Sequence, residues 1–171
     1  MTIGTDLASS RRSLELASQF PGTVFTAVGI HPNYTAAASP GDWDAIVDLA
    51  SDPRVVAIGE TGLDYFRSEG DTEWQRERFR VHIDAAKKTQ KPLIIHTREA
   101  GNDTLDILRE RGRGEVRGVM HCFTETLPFA LASIELGFLI SFSGILTFKN
   151  AEEVRSVART IPIESIMIET D

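Results

Sequence analysis

The chain has 171 residues, enough for one sizeable core and too few for two ordinary domains. Hydrophobic residues make up 42% and charged residues 25%, with 13 Gly and 7 Pro, a globular balance that excludes disordered, collagen-like and mini-protein classes. Eighteen Lys and Arg against 25 Asp and Glu give a net charge of −7, so the broad basic footprint of a sequence-specific DNA binder is absent, although a local metal site can still recruit phosphates.

In chain order, 1–4 reads as the end of a strand, and apolar or β-branched runs follow at 23–30, 55–58, 93–95, 118–120, 138–142 and 166–168. Helical periodicity falls between them at 10–19, 43–50, 72–89, 102–110, 128–136 and 151–159, with Asp42 and Asp71 as expected N-caps. The apolar stretch 127–146 is interrupted by Pro128, Glu135 and Gly137 and reads as a buried helix followed by a strand, not a membrane span. Continuous apolar strands, each followed by a helix, imply a parallel sheet covered by helices: either an open doubly wound sheet or a closed (β/α)8 barrel. Seven strands are one short of a barrel, which takes about 250 residues.

The single cysteine, Cys122, excludes an internal disulfide and suits a reducing compartment, so the expected location is cytoplasmic. No basic segment followed by an apolar stretch opens the chain, and no signal peptide is expected.

In either α/β fold the chemistry gathers at the carboxyl ends of the strands. Glu60 follows Ala57-Ile58-Gly59, His96 follows Leu93-Ile94-Ile95, His121 follows Val119-Met120, Asp171 closes the segment after Met167-Ile168, and His31 follows Val28-Gly29-Ile30. Imidazoles and carboxylates converging on one rim suit Zn²⁺, Mn²⁺ or Mg²⁺. Carboxylates can bridge two ions, an ion acidifies water for attack on phosphorus or carbonyl carbon, and an aspartate ending the last strand is placed as general base. Singly, each residue also has a plainer reading, a hydrogen-bonded structural histidine or a helix-capping carboxylate. His82, near Phe79 and Ile83 in mid-helix, reads as packing, and Arg109, Arg111, Arg113 and Arg117 as solvated surface. Cys122 is expected to face away from His121 as a buried, inert thiol. Asp64 and Tyr65 are expected to organise the loop after Glu60, with Asp64 a partner of the metal site.

Five motifs occur in order: Gly29-Ile30-His31-Pro32, Gly59-Glu60-Thr61-Gly62-Leu63-Asp64-Tyr65, Pro92-Leu93-Ile94-Ile95-His96-Thr97-Arg98, His121-Cys122-Phe123 and Ile168-Glu169-Thr170-Asp171. Together they resemble the TatD family of metal-dependent hydrolases over almost the whole chain. The resemblance implies a TIM-type (β/α)8 barrel, incomplete here with its first strand and last helix missing, as a single partial domain over 1–171 that carries strands 2 to 8. It implies divalent metal ions (Mg²⁺, Mn²⁺ or Zn²⁺), two per complete site, and phosphodiester hydrolysis with DNase or 3′ exonuclease activity on DNA ends. Glu60 matches the family's bridging glutamate, His96 and His121 its two mid-barrel histidine ligands, and Asp171 its last-strand aspartate, ligand and base. Glu60 and Asp171 are therefore the expected catalytic pair. Arg98 matches a position suited to holding a phosphate, and His31 either faces substrate or donates a hydrogen bond that orients its own loop.

The family's first strand carries a His-x-His pair found nowhere in this chain, and the family continues past the last motif through a Pro-rich loop and a helix. The expectation is a start at an internal Met and a lost end, with only part of the ligand set, weak metal binding and little activity. No membrane and no obligate protein partner are expected. Two other functions stay open: an amidohydrolase-like enzyme acting on a small amide or ester, and an inactive remnant or scaffold lacking the complete cage.

Overall fold

The computed structural model describes residues 1–68 and 70–170. Seven strands, β1 (Thr2–Ile3), β2 (Thr26–Val28), β3 (Val55–Asp64), β4 (Leu93–Arg98), β5 (Gly118–Met120), β6 (Phe138–Phe142) and β7 (Ile166–Ile168), lie side by side in sequence order, every neighbouring pair parallel. Between them run α1 (Leu7–Gln19), α2 (Pro40–Leu49), α3 (Glu73–Thr89), α4 (Gly101–Ile107), α5 (Leu127–Glu135) and α6 (Glu152–Thr160). The alternation leaves an open doubly wound sheet and a barrel equally possible; the unbroken order is the incomplete parallel barrel that the family resemblance implies, and each β-α-β step advances the sheet by one strand.

The two faces of the sheet differ. Outward side chains such as Val28, Ile58, Leu93, Ile95, Met120, Phe138 and Ile140 pack against Ile46, Phe79, Ile83, Leu105, Phe129 and Val157 of the helices in one continuous core. Inward side chains form a smaller cluster of Ala27, Ala57 and Ile94 with Ile3 and Val119. Toward β7 that inner face opens: Leu139 stands beside Val119, Met167 beside Ser141, and both apolar side chains are exposed.

Local differences from the sequence reading have local causes. β3 runs on to Asp64 because Thr61–Asp64 pair residue by residue with Ile95–Arg98 of β4. α2 is capped by Ser39, not Asp42, since Pro40 takes the first helical position; Asp42 sits at the third and accepts the Ser39 N–H at 3.0 Å. Thr72 stands at the start of α3, although Asp71 Oδ1 still accepts the Glu73 N–H at 2.9 Å. α4 ends at Ile107 and widens into a π-turn over Leu108–Gly112, which Arg113 terminates at a φ of 51°. The stretch 127–146 becomes α5 and β6, and no described helix is long and apolar enough to cross a membrane.

One buried polar side chain in α3 supports the site from behind. His82 is enclosed; its Nδ1–H donates to the Arg78 carbonyl at 2.9 Å and its Nε2 accepts the Ile30 N–H at 3.0 Å, with Trp43 edge-on at 5.2 Å. Both nitrogens of a neutral ring are thus satisfied, and the chain just before His31 is tied to α3. Burial pushes the His82 pKa down to about 4. The unfolded chain takes up a proton here below an ordinary value of 6.5 and the folded chain only below about 4, so acid favours unfolding across that window. At pH 5 this amounts to about 2 kcal/mol relative to neutral pH. Urea unfolding at pH 7.5 and pH 5 should therefore show a larger acid loss in the wild type than in H82Q, whose amide oxygen can still accept the Ile30 N–H. Equal losses would show that His82 is not the acid-sensitive group.

Candidate metal centre

Glu60 reaches the rim through an irregularity in β3. Ile58 pairs with Leu93 and Thr61 with Ile95, so three steps on β3 match two on β4, and the extra residue lies at Gly59-Glu60. Such a bulge bends its strand and re-aims a side chain. The glycines around it are needed for space. A Cβ on Gly29 would lie 2.7 Å from the Gly59 backbone, and Gly62, at a φ of 129°, presses against the carbonyl of His96. The Gly59–Glu60 peptide is cis.

Three imidazoles converge on Glu60 Oε1: His96 Nδ1 at 3.3 Å, His31 Nε2 at 3.5 Å and His121 Nε2 at 3.9 Å. His31, Glu60 and His96 each offer one donor atom within 4.8 Å of the others, and their side chains are only 12%, 13% and 20% exposed. The His31 and His96 rings lie 4.5 Å apart. This nitrogen and oxygen set, enclosed yet open to a cavity, fits a divalent ion. Burial pushes the His31 pKa down to about 4 against the pull of Glu60, so His31 is neutral at neutral pH with Nε2 facing the carboxylate. Its Nδ1 accepts the Asn33 N–H at 3.1 Å, so toward its own loop the ring is an acceptor, not the donor that one of its two readings from the sequence makes it. Burial raises Glu60, but contact with His96 and the neighbouring His31 and His121 outweigh it and hold the carboxyl below its ordinary value.

Two further carboxylates orient two of the rings. Asp64 Oδ2 lies 3.1 Å from His96 Nε2, and Glu169 Oε2 lies 2.5 Å from His121 Nδ1. A carboxylate only accepts, so these contacts assign the proton to Nε2 of His96 and Nδ1 of His121. The other nitrogens, Nδ1 of His96 and Nε2 of His121, then both lie on the side of Glu60. Both acids are pushed up by burial and held down more strongly by partners: the Arg67 N–H and His96 for Asp64, His121 and the Cys122 N–H for Glu169. Glu169 Oε1 accepts that Cys122 N–H at 2.7 Å. Asp64 is itself held by the buried Gln75, whose side chain accepts the Asp64 N–H at 2.8 Å and donates to its carbonyl at 3.1 Å.

The site residues read from the sequence are thus brought together for Glu60, His96, His121 and His31, and Arg98 lines the same cavity of about 570 Å³. Asp171 lies outside the described residues. Cys122 departs from expectation: it lines this cavity too, because β5 ends at Met120 and Cys122 has a φ of 43°, so strand alternation no longer applies to it. Arg109 and Arg111 are surface residues paired with Asp106 and Asp84. Two participants escaped the sequence reading. Glu169 stands in a quoted motif, one residue past an apolar strand, a signal that would have singled it out; Arg67 lies in an irregular loop with no such signal.

If Asp64 and Glu169 hold the rings, E169Q and D64N should each weaken Mn²⁺ binding by roughly 10- to 100-fold in calorimetry while leaving the thermal unfolding midpoint of the metal-free protein nearly unchanged. Unaltered affinity would remove the orienting role.

The family model for TatD related DNase matches residues 1–171. An uncharacterized metal-dependent hydrolase of Escherichia coli K12, YcfH, is 41% identical over 171 residues, spanning all of this chain and 63% of the relative. The protein named 3′-5′ ssDNA/RNA exonuclease TatD of Salmonella typhimurium is 34% identical over 169 residues, covering 98% of this chain and 65% of its own length. Among solved structures, the TatD homologue YjjV of Escherichia coli K12 superposes with a TM-score of 0.90 at 26% identity, over 99% of this chain and 65% of that one. The chain therefore spans less than two thirds of the length of these relatives. With a whole-chain match to the family model, the five ordered motifs and the shared fold, the chain belongs to the TatD-related DNase family.

Proposed function

We propose that this chain carries the metal centre of a divalent-metal-dependent phosphodiesterase that removes nucleotides from the 3′ ends of DNA. The observation that carries the reading is the focus of three imidazoles on one oxygen of Glu60. Glu60, His96 and His121, with Asp171 two residues beyond Glu169, are the ligands of the ion or ions, and Glu60 and Asp171 the groups that hold and move protons at the reacting water. Mg²⁺, Mn²⁺ or Zn²⁺ bound here supplies Lewis-acid polarisation of a phosphoryl oxygen and a more acidic water. His31, whose Nδ1 accepts the Asn33 N–H so that Nε2 carries the ring proton, is placed to donate to Glu60 or to the substrate, and Arg98 to pair with a phosphate at the cavity wall.

The Salmonella relative's name supports nucleic acid as substrate. The seven strands are read as strands 2 to 8 of a barrel whose remaining parts belong to the longer relatives' length, and a reducing cytoplasm suits the single cysteine.

The test uses the protein as its gene encodes it with 5′-labelled single-stranded DNA and Mg²⁺ or Mn²⁺. A ladder shortening from the 3′ end is expected, abolished by EDTA and reduced at least ~100-fold in E60Q, as loss of an electrostatic or metal contact at the reacting centre produces. Intact DNA alongside turnover of a small amide or lactone would transfer the site to amidohydrolase chemistry; intact DNA with no turnover of either would favour a remnant.

A further inference from the structure

Among the described residues, half of the arginines of this acidic chain pair with a carboxylate, as Arg54 does with Asp52, Arg76 with Asp103, Arg80 with Glu77, Arg111 with Asp84 and Arg155 with Glu152. Arg67 and Arg98 are set apart by where they stand. Both line the cavity that holds Glu60 and His96, and among the described residues neither guanidinium has a carboxylate within 4 Å. Carboxylates are close by, but they are engaged: Asp64 Oδ2 contacts His96 and its Oδ1 accepts the Arg67 backbone N–H at 3.0 Å.

Both arginines are also held in place. Arg98 ends β4, with its carbonyl accepting the Tyr65 N–H at 3.0 Å, and its guanidinium carbon lies over the exposed Phe66 ring, 3.8 Å from the centroid. A stacked guanidinium keeps its N–H edges free for an anion and loses less rotamer freedom on binding one. Arg67 is anchored through its backbone to Asp64, the same carboxylate that orients His96, and the Ser68 hydroxyl donates to the Asp64 carbonyl at 2.8 Å. The loop carrying one arginine is therefore tied directly to a ring of the metal centre.

We propose that Arg67 and Arg98, with Phe66 as floor, form a second phosphate subsite that grips the phosphate next to the one being cleaved, so that the site selects single-stranded nucleic acid over an isolated phosphodiester. This rests on the phosphodiesterase reading above. The cavity, at about 570 Å³, is larger than one phosphate group requires and lies within the range of sites that bind whole small ligands. Two guanidiniums with no carboxylate partner among the described residues, beside a centre that handles one phosphate, give an anionic polymer a place for its next charge.

The experiment has a catalytic and a binding arm. With the wild type, R67Q and R98Q, hydrolysis is compared on an 8-mer DNA single strand and on a dinucleoside monophosphate, which has a single phosphate. The expected result is a KM at least ~10-fold higher on the 8-mer in each variant, corresponding to at least ~1.4 kcal/mol, and a clearly smaller loss of kcat/KM on the dinucleoside monophosphate. In EDTA, anisotropy of a labelled 8-mer against salt should show the slope of log K falling by about 0.7 for each arginine removed. R67K and R98K should keep most of that slope, and R109Q, at a paired surface arginine, should match wild type. Equal losses on both substrates would mean that the arginines grip the reacting phosphate, and unchanged KM and slope would mean that they bind none; either overturns the subsite. If the wild type binds the 8-mer with arginine-dependent slope but cleaves neither substrate, the subsite stands and the phosphodiesterase reading fails. If the wild type does not bind the 8-mer, the subsite is lost.

Discussion

Parallel strands joined by helices all end on the same rim, and the rest of this molecule depends on that constraint. With β1 to β7 in unbroken order, the residues following each strand face a common space, whatever their separation in the chain. Glu60 and His121 are far apart in sequence and meet across it. The outward faces of the strands meet the helices in a large apolar core, and the inward faces carry small or branched side chains. Carboxylate and imidazole are concentrated at the rim.

Within the rim, the structure separates residues that face the centre from residues that aim them. His96 and His121 have a carboxylate on one nitrogen and Glu60 near the other, but the nitrogens are used in opposite senses. Asp64 and Glu169 thereby fix which lone pair faces inward, and a ring already turned toward its ligand avoids the cost of ordering it on binding. The supports reach further back. Gln75 in α3 holds both backbone groups of Asp64, and His82, in the same helix, holds the N–H of Ile30 just before His31. One helix thus braces two sides of the centre from behind the sheet.

The same network joins the centre to the part of the cavity wall that carries Arg67 and Arg98. Asp64 contacts a ring with one oxygen and the backbone of the Arg67 loop with the other, so displacement of that loop is felt at His96. An acidic protein can in this way present a small, directed positive surface without a basic face, since local geometry and not net charge decides what the cavity meets.

The alternation of apolar runs and amphipathic stretches determined the seven strands, the intervening helices and the rim, because a strand buried on both faces must be continuously apolar and the residue after it must be where that burial stops. That was sufficient to pick out Glu60, His96 and His121, and to place His82 in packing. Only the tertiary structure decided the rest. The bulge at Gly59-Glu60 arises from register against β4, the tautomers of His96 and His121 from carboxylates remote in sequence or beyond the strand end, and the turn of Cys122 into the cavity from a left-handed backbone. Arg67 entered the cavity by way of an irregular loop fastened to Asp64. Periodicity reports burial along one element, whereas register, loop anchoring and side-chain aim are set by contacts between elements, which no local pattern encodes.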